Sequence, residues 1–161
     1  MDAVSLLLAQ HRTTESLFEK FNEAESSEEK RAAFDAIADD LSVHLTIEEK
    51  IFFPAIYLEE THEKLAEVLE EHLSLKRLIV DALEMPAEGD AFGAKVKVLE
   101  EQVEHHVKEE EKDLFPVVKK RFTKEHLEEL GRKMQLLYIH ELEVGPSRHI
   151  DEQTDEAVSI V

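Results

Sequence analysis

The sequence predicts an all-α protein, an up-down-up-down antiparallel four-helix bundle with an additional short C-terminal helix. Three observations lead there. Only 4 Gly and 4 Pro interrupt a chain of 161 residues in which apolar residues make up 42% and charged residues 35%, and the strong helix formers Leu, Ala, Glu and Lys are prominent. Apolar residues recur every three or four positions through four long segments, the period of a helix with one buried face. Short connections between these segments place consecutive helices side by side and antiparallel.

The first segment runs from about Val4 to Phe21, with Val4, Leu7, His11, Thr14, Phe18 and Phe21 on one stripe. Ser26 and Glu29 have capping-box spacing and open the second, whose stripe is Phe34, Ile37, Leu41, His44, Glu48 and Ile51, as far as Pro54. The third begins near Glu63 and repeats Leu65, Leu69, His72, Leu75 or Lys76, Ile79 and Leu83. Breakers from Met85 to Asp90 end it. The fourth carries Phe92, Val96, Leu99, Val103, His106 and Glu110 and reaches Phe115-Pro116. Pro54 and Pro116 are expected to end or kink their helices, since proline lacks the N–H that bonds four residues back. A fifth, shorter helix is expected from roughly Lys124 to Glu141, packed across the bundle through Leu127, Leu130, Met134 and Leu137 and weakened by Gly131. Residues 1–144 read as one helical domain and 145–161 as an acidic, flexible tail.

Charge and composition exclude several classes of function. Asp and Glu number 38 against 19 Lys and Arg, a formal charge of -19. That field repels phosphate backbones, so nucleic acid is not an expected partner. The chain has no Cys, which removes disulfides and thiolate chemistry and leaves His, Asp and Glu as the strong metal ligands. No apolar run approaches membrane-span length, and the opening MDAVSLLLAQHRTTE lacks the basic flank and cleavage signal of a secretory leader. A soluble, cytoplasmic protein is expected, monomeric or a weak homodimer through the exposed side of the fifth helix.

The segment HLTIEEKIFFP at His44 to Pro54 is repeated as HVKEEEKDLFP at His106 to Pro116, and each copy follows a helix with a lone histidine in phase with its core. The order is H, HxxxE, H, HxxxE. Six metal-ligand candidates therefore occupy core positions: His11, His44, Glu48, His72, His106 and Glu110. Buried carboxylates need a metal, a proton or a paired cation. Spacing of four stacks His44 with Glu48 and His106 with Glu110 on single helix faces. The arithmetic yields two metals, two histidines on each, and two shared carboxylates; zinc, manganese and iron all accept such donors.

This arrangement resembles the hemerythrin family, more closely its broad HHE cation-binding branch than the invertebrate oxygen carriers. The match runs from His11 to Pro116. It implies that His11, His44, His72 and His106 are terminal iron ligands and that Glu48 and Glu110 bridge two iron ions, with an oxo or hydroxo group completing the bridge. It also implies a small ligand such as dioxygen, peroxide or nitric oxide. The oxygen carriers have a fifth histidine where this chain has Lys76, and a histidine and aspartate five apart where it has His106 and Glu110.

Among the neighbouring residues, Glu15, Glu49, Glu71 and Glu109 are candidate acceptors for the outer imidazole nitrogens, and Glu15, a turn after His11, is the foremost candidate for an added ligand. Lys76 is expected either near the metals as a hydrogen-bond source or with its head turned to solvent. His105 is expected at the surface, and His62, His126, His140 and His149 away from the site. Phe52, Phe53 and Phe115 are expected as core packing, with Phe52 and Leu114 able to line an apolar pocket beside the metals. Three functional classes stay open: a di-iron module for sensing or storage, an oxidoreductase acting on peroxide or nitric oxide, and a purely structural helical protein. The sequence names no catalytic residue.

Overall fold

A computed structural model describes the backbone of residues 1–161 and every side chain except that of Arg148. Four helices form the bundle: α1 (Ala3–Glu23), α2 (Ser27–Ile47), α3 (His62–Glu84) and α4 (Asp90–Glu109). The side chain of Asp2 caps α1 by accepting from Ser5 N–H, and Ser26 caps α2 by accepting from Glu29 N–H. The Glu29 carboxylate accepts from Glu25 N–H at 2.9 Å, one residue before the cap, so the Ser26 half of the expected capping box is present and the return bond is shifted by one residue. The chain has no strand among the described residues.

Two apolar clusters fill the bundle, and the order in which each helix visits them gives its direction. Helix α1 runs from Val4 and Leu7 in the first cluster to Phe18 and Phe21 in the second; α2 returns from Phe34 and Ile37 to Ile47. Helix α3 leaves again from Leu65 and Val68 toward Leu75 and Ile79, and α4 comes back from Phe92 and Leu99 toward Leu114 and Phe115. Up-down-up-down topology follows directly. The core histidines and glutamates fall between the two clusters on every helix.

Neither proline ends its helix. At Glu48–Phe52 and Glu110–Leu114 the backbone widens into a single π-turn, in which Phe53 N–H bonds to Glu48 O and Phe115 N–H to Glu110 O. The wide turn absorbs the bond that Pro54 and Pro116 cannot donate, and such insertions recur at functional sites. Beyond it α2 continues for Phe53–Ala55 and α4 for Phe115–Arg121.

Helix α5 spans Lys124–Val144 and has 21 residues, as many as α1, so the additional C-terminal helix is not short. It packs on α1, α2 and the first π-turn. Gly131 is there for proximity: a Cβ at this position would stand 2.4 Å from Met1 O. Past Gly145, in the left-handed region at φ 76°, residues Pro146–Gln153 form a 3₁₀ helix. The segment expected as a flexible tail is packed in the structure. Ile150 is buried in the second cluster, Val158 and Ile160 lie against the first, and Arg77 donates to the backbone oxygens of Thr154 and Asp155. Sparse apolar residues at irregular spacing gave the sequence no periodic signal for this docking.

Candidate metal centre

The six candidates from six separate turns of sequence converge on one place. His11 of α1 and His44 of α2 form one pair, with ring centroids 5.0 Å apart; His72 of α3 and His106 of α4 form the other, at 4.9 Å. The carboxylates that open the two π-turns lie between the pairs. Glu48 Oε2 stands 3.4 Å from His44 Nε2 and 3.2 Å from His72 Nε2. Glu110 Oε2 stands 3.5 Å from His11 Nε2, while its Oε1 stands 3.0 Å from His106 Nε2. Each carboxylate thus reaches one imidazole of each pair. The ligand-type atoms form two sets, His11, His44, Glu48 and Glu110, and Glu48, His72, His106 and Glu110, within each of which they all lie within 4.8 Å of one another.

The donor set fits divalent metal. All six residues are buried, with both carboxylates at 0% exposure. The Nε2 atoms of His11, His44, His72 and His106 and both oxygens of Glu48 and Glu110 have no hydrogen-bond partner among the described residues. Leaving even one buried polar group unsatisfied costs about 1–3 kcal/mol. Eight such atoms aimed at one point are tolerable when cations occupy it.

Three of the four outer nitrogens are hydrogen-bonded from behind, which fixes those rings and leaves Nε2 pointing inward. His72 Nδ1 pairs with Glu49 Oε1 at 3.0 Å, and His11 Nδ1 with Glu111 Oε1 at 2.9 Å. His44 Nδ1 pairs with the side-chain oxygen of Gln10 at 2.8 Å, and His106 Nδ1 lies 3.5 Å from Glu71 Oε2. Lys76, only 2% exposed, donates to Glu49 Oε2 at 2.8 Å. Aromatic rings close the layer on its lower side: Phe115 stacks on His11 at 5.8 Å and Phe53 lies 5.3 Å from His72. Between α1 and α4, a groove of about 400 Å³ reaches His11 past Arg12, Glu15, Lys108 and Glu111.

Burial and mutual repulsion shape the proton affinities. Burial, then the neighbouring Glu110 carboxylate, pushes Glu48 well above the usual carboxylate range. Burial also pushes Glu110 upward, but the His106 and His11 imidazoles outweigh it and hold Glu110 well below that range. Burial lowers His44 and His72, the latter against the pull of Glu49. Burial acts downward on His106 too, yet Glu110 and Glu71 together raise it to about 10. Protons on Glu48 and His106, beside an ionised Glu110, thus occupy the donor set, and metal loading must expel them.

The model of the hemerythrin HHE cation binding domain matches residues 2–118. The chain belongs to this family. An uncharacterized protein of Mycobacterium tuberculosis is 29% identical over 136 residues, covering 83% of each chain. A crystal structure of a hemerythrin HHE cation binding domain-containing protein from Mycobacterium kansasii is 25% identical, covers 96% of this chain and 99% of its own, and superposes with a TM-score of 0.82. The agreement extends over the whole helical array, including the chain beyond the region that the family model covers.

Within this HHE domain, some neighbours stand where the sequence places them and others do not. Glu49 holds His72 and Glu71 approaches His106, as expected. Glu15 does not join either donor set; it is half exposed and pairs with Arg12 at 3.2 Å. Glu109 pairs with Lys64 at 3.1 Å and with His105 at 3.4 Å, and His105 is 70% exposed. His62, His126, His140 and His149 are exposed. Lys76 turns inward, because Glu49 offers a buried partner for its charge. Sequence reasoning missed Gln10 and Glu111. Gln10 lies three residues after Leu7 and four before Thr14, so its place on the buried flank was readable. Glu111 gave no such signal, since the π-turn rotates it from its α-helical bearing toward His11.

Proposed function

We propose that this protein is a non-haem di-iron protein that binds or reacts with dioxygen, peroxide or nitric oxide at a carboxylate-bridged centre. The observation that carries the reading is the position of Glu48 and Glu110, each between an imidazole of one pair and an imidazole of the other. His11 and His44 would hold one iron, His72 and His106 the second, and the two glutamates both. Manganese and zinc suit the same donors; the family resemblance favours iron. Bound iron would supply the electron changes.

The protein's own contribution is geometry, exclusion of water and placement of protons. Gln10, Glu49 and Glu111 hold the imidazoles of His44, His72 and His11 in the tautomer that presents Nε2 inward, and Glu71 lies 3.5 Å from the outer nitrogen of His106. Phe52 and Leu114, at 0% and 1% exposure, keep bulk water from the side of the π-turns. The groove at His11 is lined by charged groups, and Arg12 is shared there between Glu15 and Glu111. Proton-bearing groups thus flank the approach to His11, which favours a small polar reactant such as peroxide over a purely apolar gas pocket. A sensing or storage module without turnover would use the same donors and differs only in lacking sustained consumption of its ligand.

The test is to load the protein anaerobically with ferrous iron and add dioxygen, hydrogen peroxide or nitric oxide in turn while following the optical spectrum and ligand consumption. New charge-transfer absorption with one of the three supports the reading. Repeated consumption of peroxide or nitric oxide assigns an enzyme, and a single stoichiometric change assigns a binding module. Absence of any spectral response from iron-loaded protein would overturn the proposal.

A further inference from the structure

Helix α5 has two faces of different character. Leu127, Leu130 and Met134 are buried against the bundle, with Leu137 and Tyr138 partly buried beside them. On the opposite face Glu129, Arg132, Leu136, Ile139 and Glu143 recur alternately three and four residues apart, and all are exposed. That is the seam spacing of two helices packed lengthwise. Of the eight large apolar residues exposed among the described residues, four lie on this helix: Leu136 at 70%, Ile139 at 48%, Leu142 at 50% and Val144 at 44%. Single exposed apolar residues are ordinary, but a group gathered on one face marks an interaction surface.

From the order of charges along this seam we infer that the face docks on the same face of a second copy of the chain, with the two α5 helices antiparallel. The basic residues Arg132 and Lys133 stand before the apolar pair Leu136 and Ile139, and the acidic Glu143 stands after it. A two-fold axis between Leu136 and Ile139 sets Leu136 against the partner's Ile139 and Arg132 against the partner's Glu143. Symmetry repeats each contact, so an apolar centre is closed by an ion pair at both ends. Parallel pairing would instead oppose arginine to arginine and glutamate to glutamate, which the like charges disfavour. Lys133 is already held by Glu129 at 3.0 Å, whereas neither Arg132 nor Glu143 has an ion-pair partner among the described residues. The two charges that meet across the axis are thus those left without a partner in the single chain. The contact runs from Arg132 to Glu143, about three turns or ~16 Å of helix, which places it among small, reversible interfaces. It is independent of the metal centre.

Sedimentation velocity of the full-length protein over a range of concentrations tests the pairing, with variants confined to these exposed positions. The expected result is a concentration-dependent approach to the mass of a dimer, abolished by Leu136→Glu. Arg132→Glu and Glu143→Arg should each weaken self-association by about tenfold or more, because each sets like charges at both ends. An equimolar mixture of these two variants should form a mixed dimer, since every end then joins a glutamate to an arginine, and the double variant Arg132→Glu/Glu143→Arg should recover self-association. Wild-type protein that keeps the mass of a monomer at every concentration would overturn the inference, as would a dimer indifferent to Leu136→Glu or a mixture that associates no better than either variant alone. Monomeric protein that cosediments with neutral lipid vesicles and loses that binding in Leu136→Glu would give the face to a lipid surface and also overturn it.

Discussion

Exchanging Glu48 for glutamine should stabilise the metal-free protein and destabilise the metal-loaded one, a reversal that few structural glutamates could give. Glu48 is completely buried, neither of its oxygens has a hydrogen-bond partner among the described residues, and it faces Glu110. A charge in that position costs several kcal/mol even after relaxation. Glutamine is nearly the same shape and removes the charge, while its buried amide still costs about 1–3 kcal/mol. The net gain is on the order of 1–2 kcal/mol, which for a chain of this size raises Tm by about 2–8 °C. The pH dependence has a definite sign. Because folding raises the affinity of Glu48 for its proton, its contribution is fully present below the ordinary glutamate value of 4.5 and is lost as pH rises through the folded value. The advantage of Glu48→Gln should therefore be absent near pH 4 and grow toward neutrality. With metal at a hundred times its dissociation constant the wild-type protein gains about 2.7 kcal/mol per ion, and the variant, lacking a shared ligand, forfeits much of that. Differential scanning calorimetry in chelator and in excess Mn²⁺, between pH 4 and 8, reads all of these. A chelated variant that melts below wild type at pH 7.5, or equal stabilisation of both proteins by Mn²⁺, would refute the reasoning.

Three further outcomes are expected. Lys76→Met should destabilise the chelated protein by about 3–5 kcal/mol, because it strands Glu49 as a buried charge, and the double variant Glu49→Gln/Lys76→Met should recover most of that loss; urea denaturation decides it, and equal losses in both would contradict the pairing. Ile150→Ala should cost about 2–5 kcal/mol if the chain after Gly145 is docked as the structure has it, whereas no change in the urea midpoint would restore the flexible tail that the sequence suggests. Gly131→Ala should lower Tm, by a loss of about 1–3 kcal/mol, since the new methyl group would displace the Met1 backbone; an unchanged melting curve would mean that the N-terminus is not seated there.

The bundle was legible because its information is periodic. Each of α1 to α4 carries an apolar stripe at helical spacing, and the histidines and glutamates of the centre interrupt those stripes in phase, so their shared burial could be read without coordinates. The π-turns were not legible. HLTIEEKIFFP and HVKEEEKDLFP announce a proline in a helix, but whether the helix stops, kinks or widens depends on what the neighbouring helices offer the freed carbonyls. That widening carries Glu111 behind His11, while Glu15, a turn after His11 on α1, stays with Arg12 at the surface. Lys76 was ambiguous for a related reason: a lysine on a core stripe turns outward unless a buried carboxylate meets it, and Glu49 comes from a different helix. The length of α5 and the docking of residues after Gly145 depend on contacts with α1, α2 and α3, for which short apolar runs give no sequence period.

The central claim is that one buried centre holds two metal ions through two shared glutamates. Elemental analysis of protein loaded anaerobically with ferrous iron and freed of excess tests it most directly, with Glu110→Gln and His149→Ala measured in parallel. The account predicts close to two irons per chain in the wild type and in His149→Ala, and a sharp fall in Glu110→Gln. Equal iron content in all three proteins, or wild-type protein that stays free of iron, would contradict it.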